Sequence, residues 1–97
     1  MSSNYQVLLG DDALAFLEAA DEKTSRVVKE KLGWLSADPY PGRGRGDKEK
    51  LPVDGVEQYR MHISRTWTAF YTIREKRQEV RVHEIVDIGA AHKRYGY

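Results

Sequence analysis

The 97 residues, 40% hydrophobic and 32% charged, are read as one domain, with room for a modest core and none for a second. The lack of cysteine excludes a disulfide framework and thiolate chemistry, and it suits a reducing cytoplasm. The net charge of +1 hides an asymmetry: residues 1–40 carry four Lys/Arg against seven Asp/Glu, and residues 41–97 carry twelve against eight, with all three histidines.

A basic second half points to a polyanion partner on one face. An ordinary solvated surface explains it as well. Met1-Ser2-Ser3-Asn4-Tyr5 has no basic region followed by an apolar run, so no signal peptide is expected. No apolar stretch approaches the ~20 residues that span a bilayer, so no membrane partner is expected.

In chain order, Tyr5–Leu9 reads as a short strand. Gly10-Asp11-Asp12 then supplies a turn and a helix start with acidic residues at the favourable dipole end. Ala13, Phe16, Leu17 and Ala20 fall on one helical stripe. Asp21 is placed to cap a second helix over Glu22–Ser36, whose stripe is Val28, Leu32 and Leu35. A break this short implies an antiparallel helical hairpin.

Asp38-Pro39-Tyr40-Pro41 ends that helix. The segment Gly42–Lys48, with Arg43 and Arg45 between its glycines, reads as a mobile basic loop suited to RNA or an acidic partner. Strands follow at Val56–Ser64, Trp67–Arg74 and Glu79–Ile88, with turns at Arg65-Thr66 and Glu75–Gln78. The tight spacing makes them an antiparallel meander. The fold class is therefore α+β: an N-terminal strand, a helical hairpin and a three-stranded meander completing the sheet. Alternation on the first meander strand puts Tyr59, Met61 and Ile63 on one face and Arg60, His62 and Ser64 on the other. The helices need the apolar face, which leaves Arg60 and His62 on an open one.

Standard catalytic motifs are absent. No phosphate-binding glycine loop, dinucleotide fingerprint or nucleophile elbow occurs. His62 and His83 fall on separate strands without a ligand-spaced partner, so no metal is expected. What remains is a cluster of Arg60, His62, Arg65, His92, Lys93, Arg94, Tyr95 and Tyr97. A meander can bring the first strand's outer face near the tail that follows the last. Phosphodiester transfer needs such groups: a base, an acid and cations for the charged phosphorane. Histidine suits proton transfer near neutral pH, arginine clamps phosphate, and tyrosine stacks on bases. Solvated strand and tail positions account for the same residues.

The ordered motifs resemble the RelE/ParE toxin superfamily over nearly the whole chain. They are Asp38-Pro39 at the helix end, Lys50-Leu51 opening the sheet, Tyr59-Arg60-Met61-His62, Phe70-Tyr71, Ile88-Gly89, and the tail His92-Lys93-Arg94-Tyr95. The resemblance implies a cytoplasmic toxin of a type II toxin–antitoxin system, with a RelB-like antitoxin as partner. It also implies a metal-independent endoribonuclease without cofactors, acting on mRNA in the ribosome and leaving a 2′,3′-cyclic phosphate or its opened form. Residue by residue, it implies catalytic roles for Arg60, His62, His92 and Tyr95. Substrate contacts are implied for Lys50, Arg65, Lys93, Arg94 and Tyr97. Thr68-Ala69 and Ala90-Ala91 stand where relatives carry basic residues. A ParE-like gyrase inhibitor and an inactive antitoxin-binding homologue are therefore the alternatives.

Overall fold

The structure is a computed structural model that describes residues 4–51 and 57–89. Strand β1 (Gln6–Leu9) runs through Gly10 into helix α1 (Asp11–Ala19), and Asp11 and Asp12 occupy its first turn, where negative charge complements the helix dipole. Helix α2 (Glu22–Ala37) begins at Asp21, whose carboxylate accepts the Thr24 amide at 2.7 Å. The Thr24 side chain first, and then this amide bond, hold the Asp21 carboxyl below its ordinary pKa. Four more strands follow: β2 (Asp47–Leu51), β3 (Gln58–His62), β4 (Trp67–Arg74) and β5 (Glu79–Asp87). A short 3-10 turn (Glu75–Arg77) joins β4 to β5, with Gln78 left-handed at φ 52°.

The sheet order is β1-β5-β4-β3-β2, with β1 parallel to β5 and every other pair antiparallel. The alternation read on β3 holds. Tyr59, Met61 and Ile63 lie in the main core with Leu17, Val28, Leu32, Leu35, Val80, Val82 and Ile85, and Phe16 packs partly buried against it. Each fully buried aliphatic side chain here contributes ~1.5–3 kcal/mol. Among the described residues no helix is long and apolar enough to cross a membrane.

The structure corrects one expectation directly. The segment read as a mobile loop ends in β2, so the antiparallel part of the sheet has four strands, not three. Its sequence, Asp-Lys-Glu-Lys-Leu, lacks apolar alternation because an edge strand is protected by charge rather than marked by hydrophobicity. The loop before it is held down. Lys48 is 7% exposed and its ammonium donates to the carbonyl of Asp38 at 2.6 Å and to that of Arg43. Arg43 donates Nε to the Asp38 carboxylate at 2.9 Å and lies over the Tyr40 ring. Gly46, at φ +105°, leaves room for Met61 Sδ, which a Cβ there would meet at 2.8 Å. Burial depresses the Lys48 pKa. Burial also works to raise the Asp38 carboxyl, but the Tyr40 amide, Arg43 and Lys48 hold it below the usual carboxylate range.

A row of tyrosines closes one end of the core. Tyr71 donates its hydroxyl to the Pro39 carbonyl at 2.8 Å and stacks on Tyr59 with centroids 5.6 Å apart. Tyr40 packs edge-on against both Tyr59 and Tyr5. Tyr40 and Tyr5 both donate to Glu75 Oε1. These contacts join the start of β1, the segment after α2 and the β4–β5 turn.

Candidate functional site

The outer face of the sheet, away from the helices, is built by the residues alternating with the core set. On β3 these are Gln58, Arg60 and His62. Register brings Glu49 beside Arg60 on one side and Phe70 on the other, and Glu84 follows Phe70 on β5. A second row runs Asp47, His62, Thr68, Val86. Leu51, Phe70 and Val86 form a small apolar cluster of their own on this face.

Arg60 is the centre of the arrangement, and it is less open than expected. Its side chain is 11% exposed, whereas that of its partner Glu49 is 52% exposed, and Nη2 donates to Glu49 Oε2 at 2.8 Å. The guanidinium is thus held on a rigid strand beside apolar neighbours, with an anion already on it. A charged group so placed makes stronger bonds to an oxyanion than one in water. His62 is half-buried one register row away, beside Asp47 and Thr68.

The remaining expectations divide. Lys50 does not join Arg60. It pairs in register with Tyr59, on the helix side of the sheet, and its ammonium lies 3.5 Å from Glu57. A one-residue offset along a strand changes face, so Lys50 and Arg60 cannot share a site across β2 and β3. Lys48, in the loop read as phosphate-binding, is committed to backbone carbonyls. Arg65 is exposed in the β3–β4 turn. His92, Lys93, Arg94, Tyr95 and Tyr97 lie outside the described residues. Thr68 is 1% exposed, a short buried hydroxyl where the family resemblance implied a cation. Among the described residues no three His, Asp or Glu side chains are grouped as a metal requires.

His83 is a residue that reading the sequence for phosphate chemistry passed over. On β5, Val82 and Ile85 both lie in the core with two residues between them, where a regular strand has one. Tyr71 pairs with Val82 but Phe70 pairs with Glu84, so His83 is the extra residue of a β-bulge. Its Nε2 lies 2.9 Å from Thr72 Oγ1. The signal was present in the spacing Val80, Val82, Ile85.

A groove of about 290 Å³ runs between α2 and β1, lined by Val7, Leu9, Leu32 and Gly33. The outer face instead offers a mixed charged surface, with Asp47, Glu49 and Glu84 in the rows of Arg60 and His62.

No protein-family model matches the chain, and no curated protein matches it. Solved structures do. A chain of the archaeal RelE–RelB complex from Pyrococcus horikoshii OT3 is 20% identical, covers 92% of this chain and 98% of its own, and superposes with a TM-score of 0.72. A chain of the toxin–antitoxin complex RelBE2 from Mycobacterium tuberculosis is 16% identical, covering 87% and 91%, with a TM-score of 0.72. The YoeB/ParE toxin from Agrobacterium tumefaciens is 14% identical, covering 84% and 96%, with a TM-score of 0.70. The chain therefore has the RelE/ParE-type fold that its sequence motifs resemble.

Proposed function

We propose that this RelE/ParE-type chain is the toxin of a type II toxin–antitoxin pair and cleaves mRNA on the ribosome without a metal. Arg60 carries the reading: on a fold shared with RelE and YoeB toxins, a largely buried guanidinium stands mid-strand on the outer face with a carboxylate as its anion. In this reading Arg60 stabilises the charge that develops on the phosphorane. His62 lies one row away and adds a second, titrating group. His92 donates a proton to the leaving oxygen. Tyr95 or Tyr97 stacks on a substrate base, and Arg65, Lys93 and Arg94 contact the RNA backbone. The protein partner is a RelB-like antitoxin, in keeping with the toxin–antitoxin complexes among the solved structures. The compartment is the cytoplasm, where message and ribosomes are.

The test is primer extension on a message under translation with the purified chain. New 5′ ends that depend on ribosomes support the reading, and an intact message contradicts it. A second reading is a ParE-like toxin that inhibits gyrase without cleavage. The buried Thr68 favours it, since no cation reinforces Arg60 from that position. Gyrase supercoiling blocked by the same preparation, with message left intact, would replace the first reading by the second.

A further inference from the structure

Strand β1 is an outer strand of the sheet, paired on one side with β5. The Gln6 amide donates to the Gln78 carbonyl and the Gly10 amide to the Val82 carbonyl, both at 2.8 Å. In a parallel ladder, alternate residues turn both backbone groups to the same neighbour. Gln6, Leu8 and Gly10 therefore face β5, and Tyr5, Val7 and Leu9 face away from it. At Tyr5 helix α2 meets the outward groups. The Tyr5 amide donates to the Ser36 carbonyl at 2.7 Å, and Ser36 Oγ donates to the Tyr5 carbonyl at 2.8 Å. That cover stops at Tyr5. Among the described residues, the outward N–H and C=O of Val7 and of Leu9 have no hydrogen-bond partner. An edge in this state is a template for another chain.

The side chains beside the edge form the rest of the site. Val7 and Leu9 turn to the helix side of the sheet, where they line the groove of about 290 Å³ with Leu17, Leu32 and Gly33. Gly33 lies inside α2, where glycine weakens a helix relative to alanine. A Cβ on Gly33 would meet nothing within 4 Å, so no contact of the described chain requires its small size. Its missing side chain keeps the groove open along α2. Lys29, one helical turn earlier, also lines the groove, and no carboxylate pairs with it among the described residues. The lining is thus apolar, with one cation.

We propose that the β1 edge and this groove take an extended peptide segment of a protein partner, added to the sheet as a further strand. Its main chain bonds to Val7 and Leu9. Apolar side chains at alternate positions enter the groove over Gly33, and a carboxylate meets Lys29. Main-chain bonds give such a site its affinity, and pockets for alternate side chains give it selectivity. A helix laid in the groove would leave the edge groups unmet, and a second copy of this edge would bring another Lys29 in place of a carboxylate. The proposal goes beyond the nuclease reading and stands without it.

The test is selection of a phage-displayed library of random dodecapeptides on the full chain. Affinities of the selected peptides are then measured for the parental chain, Gly33→Trp and Lys29→Glu, with amide exchange of Val7 and Leu9 followed by NMR. Selected peptides are expected to alternate apolar residues and carry a carboxylate, and to slow exchange at both amides. Gly33→Trp fills the groove and should weaken binding by ~10-fold or more. Lys29→Glu should weaken it by ~3-fold, and it remains informative if the tryptophan variant does not fold. Gly33→Ala should raise the urea midpoint, and a lowered midpoint would contradict the assignment of Gly33 to a partner. Selection that yields no peptide overturns the proposal, as do peptides bound equally by the parental chain and a folded Gly33→Trp. Peptides that lose affinity for Gly33→Trp but leave both amides exchanging replace the strand by a helix in the groove. A parental dimer that Gly33→Trp abolishes replaces the peptide by a second copy of the chain.

Discussion

Glu49 and Arg60 face each other across β2 and β3, and their 2.8 Å ion pair sets a half-exposed carboxylate on a guanidinium that is itself largely buried. A phosphate that reaches Arg60 must displace Glu49. Replacing Glu49 by Gln removes the competing charge and keeps the shape. Glu49→Gln is expected to lower the KM for ribosome-bound message by roughly two- to fivefold, the worth of a part-exposed ion pair at ~0.5–1 kcal/mol. A raised KM would mean that Glu49 orients Arg60 for substrate and does not compete with it.

Lys48 is a structural cation. Lys48→Ala strips the donor from the carbonyls of Asp38 and Arg43, and an unsatisfied buried acceptor costs about 1–3 kcal/mol. Urea denaturation should show that loss in the midpoint. Ribosome binding, measured at low and high salt, should be unaltered. A smaller salt dependence in the variant would return Lys48 to the phosphate-binding set.

The Tyr71 hydroxyl is fully buried and bonded to the Pro39 carbonyl at 2.8 Å. Tyr71→Phe leaves the ring stack on Tyr59 in place and the carbonyl unpaired. Stability should fall by about 1–2 kcal/mol with the denaturant slope unchanged. A neutral substitution would show that the carbonyl finds another donor.

The Tyr5–Glu75–Tyr40 contact gives stability a pH signature. Hydrogen bonds from Tyr40 and then Tyr5 hold the Glu75 carboxyl below its ordinary pKa of 4.5. Its stabilising contribution is therefore present above that value and is lost as acid protonates the folded state. The phenols run the opposite way. Tyr40, chiefly through its bond to Glu75, and Tyr5, chiefly through burial, are raised above 10.0. Their contribution is present below pH ~10 and fades as alkali ionises them. Thermal melts should lose Tm at both extremes, and Glu75→Gln should flatten the acid side. An unchanged acid profile in that variant would remove Glu75 from the account.

The helices and β3 were legible because their patterns are local. Val28, Leu32 and Leu35 recur at helical spacing, Asp21 sits one residue before the helix it caps, and Tyr59, Met61 and Ile63 alternate. Strand β2 was not legible, since an edge strand of charged residues carries no apolar period. The order of the Gly42–Gly46 segment was hidden as well, because it depends on Lys48 reaching back to Asp38 and on Met61 filling the space beside Gly46. Those contacts are set by the tertiary fold, whereas glycine spacing alone suggests mobility. At the site, Arg60 and its face were readable from alternation, but Glu49 as its partner required the β2–β3 register. The bulge left a trace in the spacing of Val82 and Ile85 that a strict period of two conceals. The tail residues His92, Tyr95 and Tyr97 lie outside the described residues and rest on the chemistry of their side chains and on the family resemblance.

The central claim is that Arg60 stabilises the phosphorane in a ribosome-dependent cleavage. Its most direct test is the single-turnover cleavage rate of ribosome-bound message by the parental chain, Arg60→Ala and Arg60→Lys, with folding checked by urea midpoint. The account predicts ribosome-dependent cleavage by the parental chain and a loss of ~10²-fold or more in Arg60→Ala. Arg60→Lys should recover little of it, since an ammonium lacks the paired donors of the guanidinium. Parental cleavage matched by a folded Arg60→Ala variant would contradict the account.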